Sequence, residues 1–290
     1  MIDFIKVQGL GNDFILLDER DQIFFEPNLK MIQKLCDRHK GIGADGILSI
    51  RMGKHGENPS EIWMRLWNAD GSEAQMCGNG LRVIALYLKR RGFWQKWQAL
   101  NLPMAIHTLG GVYGVRLSSP LIAQVDQNSQ HTEQLLSEIQ SLELVGIEMG
   151  KPKVFEPRIM HDGSRLASLA FGNPHAVSFE KSAFENKDRL APIWYQAFEG
   201  GVNLSFAQII SATELNLNVY ERGCGWTEAC GTGACATVFN GVQEAYFPEN
   251  HLIKVHLPGG TLWVAVIDQM VEMWGDGVEI FEGQVDLSKF

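Results

Sequence analysis

Two stretches of the sequence share one unusual pattern, in which a cysteine followed by Gly-x-Gly precedes an apolar run. They are NADGSEAQMCGNGLRVIALYL at 68–88 and ERGCGWTEACGTGACATVF at 221–239. The apolar residues after each turn have helical spacing, which predicts helices over 79–91 and 231–246. A chain that begins two helices in the same way favours a duplicated fold.

A second pair of motifs supports the duplication. GNDF at 11–14 is echoed by GNPH at 172–175. Counted from the asparagine, the first lies 65 residues before Cys77 and the second lies 57 residues before Cys230. Two α+β lobes of like topology, facing each other across a cleft, would explain both pairs, although this repeat rests on few identities.

Most of the remaining sequence alternates or runs apolar in short stretches and predicts strands. These stretches are 2–8, 14–18, 47–52, 61–68, two runs within 104–117, 144–150, 168–180, 202–210, 214–223, 252–260, 261–268 and 270–283. A third helix is predicted over 28–39, ending at Gly41. The polar, mostly uncharged stretch 124–142 predicts an inserted loop, with a short helix from Glu133.

Charge and hydropathy exclude several classes of partner. The 290 residues carry a net charge of −9 without a basic stripe, which argues against nucleic acid as the main partner. No apolar run approaches the ~20 residues of a membrane span. The start MIDFIKVQGLGNDF lacks a basic head followed by a long apolar run, so a signal peptide is not expected and the cytoplasm is the predicted location.

The five cysteines do not suggest a disulfide framework, because their number is odd in a long, predicted cytosolic chain. Structural zinc is disfavoured as well, since Cys224, Cys230 and Cys235 lack CxxC spacing and a nearby histidine. Cys36 and Cys235 lie in helical patterns typical of packing residues, and the role of Cys224 stays open. We therefore expect no metal and no disulfide.

A cysteine at a helix N-terminus has a favoured thiolate, because the helix dipole and unpaired backbone N–H groups stabilise negative charge. The same N–H groups bind carboxylates. Two such cysteines acting on one carbon from opposite sides would remove a proton from one face and return it to the other. This is the chemistry of a racemase or epimerase that needs no cofactor. The alternative is that each cysteine is a small buried residue at a helix start.

The sequence strongly resembles the diaminopimelate epimerase family. Its landmarks occur in the family's order over nearly the whole chain: GLGNDF, GIGADG, NADGSEAQMCGNG, GNPHAV, GVNLSFAQI and ERGCGWTEACGTGACA. The resemblance implies two pseudosymmetric α+β lobes, each a central helix wrapped by curved, mostly antiparallel strands, with the active site in the cleft between them. The predicted lobes are 1–120, joined by the returning segment 273–290, and 121–272.

The resemblance also implies the activity. Such an enzyme interconverts L,L- and meso-diaminopimelate for lysine synthesis and peptidoglycan supply, without pyridoxal phosphate, and commonly as a homodimer. Cys77 and Cys230 would be the proton-transfer pair, and His175 and Glu221 would tune the thiols. The residues expected to hold the substrate are Asn12, Asn68, Gly78, Asn79, Asn173, Asn203, Glu221, Arg222, Gly231 and Thr232.

Structural roles are open for several of these residues. Asn12 and Asn68 could be turn residues, Glu221 and Arg222 a solvated charge pair, and His175 a structural hydrogen-bonding residue. Two departures from the family's common pattern bear on substrate identity. Trp226 replaces a carboxylate, and Gly46 stands where some members carry glutamine. The long stretch 124–142 bears on the same question.

Four other functions remain open at this point. The nearest is an epimerase for another amino acid, such as histidine or lanthionine, although Asn68, Asn203 and Arg222 favour a substrate with a distal carboxylate. A one-sided isomerase or dehydratase would usually have lost one cysteine. A non-catalytic amino-acid-binding protein and a thiol–disulfide oxidoreductase are the other two. No G-x-G-x-x-G motif in a βαβ setting indicates a dinucleotide cofactor.

Overall fold

The fold is described from a computed structural model, which covers residues 1–21, 26–53, 61–95, 102–117 and 143–289. The chain divides into two compact units. Unit 1 is Met1–Ser118, Leu142–Ile147 and Asp276–Phe290, and unit 2 is Ser119–Ser141 and Glu148–Gly275. The predicted insertion at 124–142 lies outside the described residues. None of the described helices is long and apolar enough to cross a membrane.

The described residues form mainly short strands, with few helices, as the sequence predicts. Up to residue 150 the elements are β1 (Ile2–Gly9), β2 (Asn12–Asp18), α1 (Leu29–Cys36), β3 (Gly46–Met52), β4 (Ile62–Asn68), β5 (Glu73–Ala74), α2 (Gly78–Arg90), β6 (Met104–Thr108), β7 (Gly111–Arg116) and β8 (Val145–Gly150). The later elements are β9 (Lys153–Ile159), β10 (Arg165–Phe171), β11 (Asn173–Ser178), α3 (Lys181–Glu185), α4 (Lys187–Tyr195), β12 (Asn203–Ser211), β13 (Glu214–Glu221), β14 (Gly225–Thr227), α5 (Gly231–Gln243), β15 (Ile253–Leu257), β16 (Gly260–Ile267), β17 (Met270–Gly275), β18 (Val278–Val285) and a 3₁₀ turn (Leu287–Lys289).

The strands of unit 1 pair in a mixed order. Strand β1 lies antiparallel between β18 and β2, and β2 runs parallel to β3. Strand β3 pairs antiparallel with β4, which takes the short β5 as a hairpin and β6 as a parallel neighbour. Two further antiparallel pairings join β6 to β7 and β7 to β8.

Unit 2 repeats this order. Strand β10 lies antiparallel between β9 and β11, and β11 runs parallel to β12. Strand β12 pairs antiparallel with β13, which takes the short β14 as a hairpin and β15 as a parallel neighbour. Antiparallel pairings again complete the series, joining β15 to β16 and β16 to β17. The same sequence of pairings in both units is far more specific than the few identities visible in the amino-acid sequence.

Equivalent positions in the two units carry the motif residues. Strands β2 and β11 begin at Asn12 and Asn173, and β4 and β13 end at Asn68 and Glu221. Nine residues beyond these strand ends lie Cys77 and Cys230. Each cysteine is followed by a helix of 13 residues, which confirms the predicted helix starts. Helix α2 ends at Arg90, one residue before its predicted end, and α5 ends at Gln243, three residues before its predicted end.

Both helices are buried along most of their length, as their apolar sequences require. Gly80 in α2 packs closely on β3, because a Cβ there would lie 2.9 Å from Cδ2 of Leu48. The close contact brings the start of the helix against the strands. The cysteine turn is thereby fixed in position by packing as well as by chain geometry.

Several elements differ from the sequence expectation. Helices α3 and α4 are not predicted, since α4 contains Pro192 and its apolar residues give little helical signal. Burial explains their formation, because Trp194 stacks on Phe206 with ring centroids 5.4 Å apart. The predicted strand at 168–180 is two strands, and the chain turns between them at Gly172, whose φ is +78°.

Candidate active site

Cys77 occupies the N-cap position of α2. Its backbone is extended (φ −144°, ψ 117°), and its carbonyl accepts the N–H of Leu81 at 2.9 Å. The thiol makes no capping bond and is partly buried. Because the first N–H groups of a helix have no intrahelical acceptor, the turn beginning at Gly78 offers donors to an anion beside the sulfur.

Asn12 lies next to this thiol. Its Oδ1 faces the sulfur of Cys77 at 3.8 Å and accepts Nδ2 of Asn79 at 3.3 Å. Its own Nδ2 donates to Oδ2 of Asp45 at 2.9 Å. Since a carboxylate can only accept from the amide, Asp45 determines which end of the Asn12 amide faces the thiol. The carbonyl end does so, which suits an S–H donor.

The carboxylate of Asp45 is itself held in place. It accepts Nη2 of Arg38 at 2.8 Å and the backbone N–H of Asp13 at 3.2 Å. Arg38 and Lys6 both pair with Asp13, and together they hold the pKa of that carboxyl at about 2 despite its burial. The charges beneath Asn12 therefore form one connected network.

Asn79 is fixed from its other side by a buried cation. Nη2 of Arg82 donates to Oδ1 of Asn79 at 2.8 Å, and Nε of Arg82 donates to the carbonyl of Asp276 at 3.2 Å. Arg82 is fully buried, so this arrangement holds the first turn of α2 firmly. The sequence prediction missed both Asp45 and Arg82. Asp45 lies in the GIGADG motif, and a charged residue inside the apolar run of α2 was the available signal for Arg82.

The side chain of Asn68 makes no hydrogen bond to this cluster among the described contacts, although the next N–H, that of Ala69, donates to the carbonyl of Asp45 at 2.9 Å. Asn68 is exposed at the end of β4, and its Nδ2 donates to Oγ of Ser72 at 3.0 Å across the following turn. In the described contacts Asn68 is thus a turn residue. Gly46, which lies opposite Asn68 in the pairing of β3 with β4, has no room for a side chain, because a Cβ would lie 2.5 Å from the carbonyl oxygen of Trp67.

Cys230 is the counterpart of Cys77 in unit 2. It caps α5 with an extended backbone (φ −127°, ψ 101°), and its carbonyl accepts the N–H of Ala234 at 3.0 Å. The side chain is only 5% exposed. Burial raises the pKa of the Cys230 thiol well above its usual value, and the negative charge of Glu221 raises it further. The Thr232 hydroxyl, 3.7 Å from the sulfur, acts in the opposite direction.

Glu221 is oriented by its own hairpin. The hydroxyl of Thr227 on β14 donates to Oε1 of Glu221 at 2.6 Å. The carboxylate thereby stays close enough to Cys230 to act on its pKa. Thr227, which the sequence prediction did not single out, is a positioning residue in this arrangement. Burial and the charge of Glu221 together outweigh the effect of Thr232, so the thiol of Cys230 is favoured over the thiolate.

His175, which is buried, and Asn173, which is partly buried, form a hydrogen-bonded pair on β11. Nε2 of His175 lies 3.1 Å from Oδ1 of Asn173, which requires the proton on Nε2. His175 is 1% exposed, and burial lowers the pKa of its imidazole to about 3. Its Nδ1 is a buried acceptor with no hydrogen-bond partner within the described structure. The ring is therefore neutral at physiological pH.

Asn203 and Arg222 are joined through the backbone. Oδ1 of the buried Asn203 accepts the N–H of Arg222 at 2.8 Å, which fixes the chain just after β13. The Arg222 side chain is exposed, and its stem passes close to Gly201, where a Cβ would lie 2.7 Å from Cγ of Arg222. Asn203 thus positions Arg222 and does not itself face solvent.

Trp226 belongs to an aromatic group in unit 2. Its ring centroid lies 5.3 Å from that of Tyr220, edge-on, and 5.7 Å from that of Phe206. The indole is 38% exposed. Trp226 therefore adds a half-exposed apolar face to β14, and Glu221 is the acidic group that acts on Cys230.

Solved structures with a similar fold include a racemase and an epimerase. The chain aligns over 100% of its length with 94% of a probable proline racemase from Agrobacterium radiobacter, at a TM-score of 0.66 and 11% identity. It aligns over 98% of its length with 92% of a hydroxyproline epimerase from Agrobacterium vitis, at a TM-score of 0.63 and 11% identity. Identity this low shows the fold alone, which this chain shares with both proteins.

Sequence comparison narrows this class to one family. The family model described as "Diaminopimelate epimerase" matches residues 4–120 and 168–280. The diaminopimelate epimerase of Nostoc punctiforme is 37% identical over 98% of this chain and 99% of its own length. That of Synechocystis sp. is 36% identical over 99% of both. The chain belongs to the diaminopimelate epimerase family, as its motifs predict.

Proposed function

We propose that this protein is a diaminopimelate epimerase, an isomerase that inverts one α-carbon of its substrate by proton transfer between two cysteines. The observation that carries the proposal is the equivalence of Cys77 and Cys230. Each caps a helix of 13 residues at the same point of the same strand order, and neither thiol is used in capping. Structural cysteines would not need this placement twice.

The chemistry follows from the surroundings of each thiol. One cysteine, as thiolate, takes the α-proton, so that a C–H bond breaks and an S–H bond forms. The other gives its thiol proton to the opposite face, which forms a new C–H bond and leaves a thiolate. The roles reverse with the handedness of the substrate. At Cys230 the raised pKa favours the thiol, and at Cys77 the carbonyl of Asn12 accepts from an S–H group.

The substrate carboxylate is proposed to bind at the two helix starts. Backbone N–H groups at Gly78–Asn79 and Gly231–Thr232 point along the helix axes and would stabilise negative charge that develops when the α-proton leaves. In this proposal both sulfurs act on the same α-carbon. Burial of the substrate would strengthen these interactions.

The distal end of the substrate is assigned to polar residues beyond β4 and β13. Arg222 would bind the second carboxylate through its guanidinium, and Glu221 would face an ammonium group. Asn68, Asn203, Asn12 and Asn173 would complete the polar lining. A diacid with two amino groups matches this set better than a substrate with an apolar or imidazole side chain.

Exchange of the α-hydrogen in heavy water tests the proposal. Purified protein is incubated with L,L-diaminopimelate in D₂O, and deuterium at the α-carbon and formation of the meso isomer are followed. We expect both with the wild-type chain and neither with Cys77→Ser or Cys230→Ser. Cys224→Ser is the matched control, because Cys224 is exposed and should keep full activity.

The same assay separates the alternatives. Exchange into histidine or lanthionine with none into diaminopimelate would reassign the substrate. Substrate binding without exchange in the wild-type protein would indicate a binding protein. Activity that requires an oxidised cysteine pair would indicate a thiol–disulfide oxidoreductase, whereas an epimerase needs reduced thiols. The proposal also includes a homodimer in the cytoplasm, and sedimentation of the purified protein tests the dimer.

A further inference from the structure

Unit 2 contains a cavity far from Cys230, at the other end of α5. It has a volume of about 290 Å³ and lies between β10, β11 and the residues that follow α5. Asn240, near the end of α5, lines it. Ten residues separate Asn240 from Cys230, which corresponds to about 15 Å along a helix at 1.5 Å per residue. We call it the helix-end cavity.

The end of α5 is shaped to form one wall of this cavity. Ala245 has a left-handed backbone (φ +59°), and the N–H of Tyr246 returns to the carbonyl of Gly241 at 2.8 Å. This reversal turns Tyr246 toward Phe179, and their ring centroids are 4.9 Å apart. Gly241 has no room for a Cβ, which would lie 2.3 Å from the ring of Phe247. The aromatic wall is therefore built by the fold.

Asn240 provides a donor that nothing in the described structure uses. Its side chain is 9% exposed, and its Nδ2 is buried without a hydrogen-bond partner. A buried N–H group without an acceptor is costly, so such groups are rare in native proteins. Because Asn240 lines the cavity, a small rotation of its side chain would bring this donor within reach of a ligand oxygen.

The charges around the cavity select the rest of the ligand. Arg165 pairs with Glu244 at 2.9 Å, while Glu180 accepts the backbone N–H of Arg165 at 3.1 Å. With one arginine and two glutamates, the lining carries one excess negative charge. An aromatic wall beside carboxylates is a setting that binds ammonium groups. The floor, Ala167 and Val177, is apolar and suits a short methylene chain.

We infer that the helix-end cavity binds a small cationic amino acid, whose carboxylate oxygen accepts from Asn240 and whose ammonium groups lie near Glu180 and the Phe179–Tyr246 rings. This site is separate from the thiol site and is not required for the proposed epimerase chemistry. It would allow a metabolite to bind without entering the active site.

Methyl NMR of the full chain, with L-lysine as the probe, tests the site and its location. Saturable shifts are expected at the methyl groups of Ala167 and Val177, while that of Ala234, next to Cys230, reports binding at the thiol site. L-Norleucine lacks the side-chain ammonium and cadaverine lacks the carboxylate, so both should bind at least about tenfold more weakly than L-lysine, since each loses a charged contact.

Variants decide whether the named groups hold the ligand. Asn240→Leu and Glu180→Gln should each weaken binding about tenfold or more, whereas Glu249→Gln, an equal charge change at an exposed site, should not. Should Asn240→Leu fail to fold, Tyr246→Leu replaces it, because Tyr246 is 46% exposed and its loss spares the core. Shifts confined to Ala234, no saturable shift at all, or undiminished binding by the Asn240 or Tyr246 variant would overturn the inference.

Discussion

Removal of the Asp45 side chain should disturb catalysis at Cys77, although Asp45 does not touch the thiol. Asp45 accepts Nδ2 of Asn12 at 2.9 Å, and this bond turns the carbonyl of the Asn12 amide toward Cys77 and Asn79. In Asp45→Ala the amide loses this bond and can rotate by half a turn, opposed only by its remaining bond from Nδ2 of Asn79. Its NH₂ group would then face the Nδ2 of Asn79 and would no longer accept from the thiol.

The size of the effect follows from the lost hydrogen bond. Bonds to charged groups are worth about 1.5–3 kcal/mol, and the lower end applies because the Asp45 side chain is 44% exposed and partly screened. Loss of an orientational bias of about 1 to 1.5 kcal/mol changes the ratio of the two amide orientations about five- to tenfold. Even if the two orientations become equally populated, the productive fraction falls only from about 0.9 to about 0.5, so we expect kcat/KM for α-proton exchange to fall by at most about twofold.

The control for this variant is Asp37→Ala. Asp37 also accepts two backbone N–H groups in unit 1, from His39 at 2.8 Å and Lys40 at 2.9 Å, but it has no contact with Asn12. The heavy-water exchange rate and the denaturant midpoint are measured for both variants. A wild-type rate in Asp45→Ala, together with a large loss in Asn12→Ala, would show that Asp45 does not orient the amide.

Three further predictions concern stability and titration. Burial lowers the pKa of His175 to about 3, below its unfolded value of 6.5, so the contribution of the neutral ring to the free energy of unfolding should be complete above pH 6.5. The free energy of unfolding should then decline by up to about 1.4 kcal/mol per pH unit as the pH falls toward 3. His175→Asn should flatten this decline in denaturant titrations between pH 4 and 7, and an unchanged slope would count against a buried neutral ring. Glu221→Gln removes a negative charge that raises the Cys230 pKa, so thiolate absorbance of Cys230, taken as the difference from Cys230→Ser, should appear at lower pH than in the wild type. Ala245→Gly should raise the free energy of unfolding by about 0.5–1 kcal/mol, since Ala245 has φ +59°, and a lower melting temperature would contradict this.

The sequence was sufficient to predict the elements that carry local signals. Glycine turns and helical spacing located α2 and α5, and alternation located most strands. It did not predict α4, because Pro192 and the weak helical periodicity of this segment give little local signal. The helix forms because Trp194 packs on Phe206. The sequence also did not reveal β9, an exposed strand with Pro157. Tertiary packing determines the secondary structure of such segments, and the local sequence pattern does not show which residues pack together.

The candidate site divides along the same line. The cysteines and the asparagines that begin β2 and β11 are visible in motifs, but their partners are not. Asp45 and Arg82 act on the thiol site through Asn12 and Asn79, over separations of 33 and 3 residues. Only the parallel pairing of β2 with β3 brings Asp45 beside Asn12. Contacts between residues that are far apart in the sequence can be identified only once the fold is known.

The internal duplication explains why the two thiols differ although their helix starts match. In the strand register, Phe14 lies opposite Gly46 in unit 1, and His175 lies opposite Asn203 at the equivalent place in unit 2. This pair of positions therefore holds an apolar ring and a glycine in unit 1 but two polar side chains in unit 2. Likewise Asn68 and Glu221 end equivalent strands, and only the second carries a charge. Cys230 is therefore buried beside an acid that keeps it protonated, whereas Cys77 is partly buried beside a neutral amide. Two copies of one scaffold thereby place the two thiols in unlike surroundings, one beside a carboxylate and one beside a neutral amide.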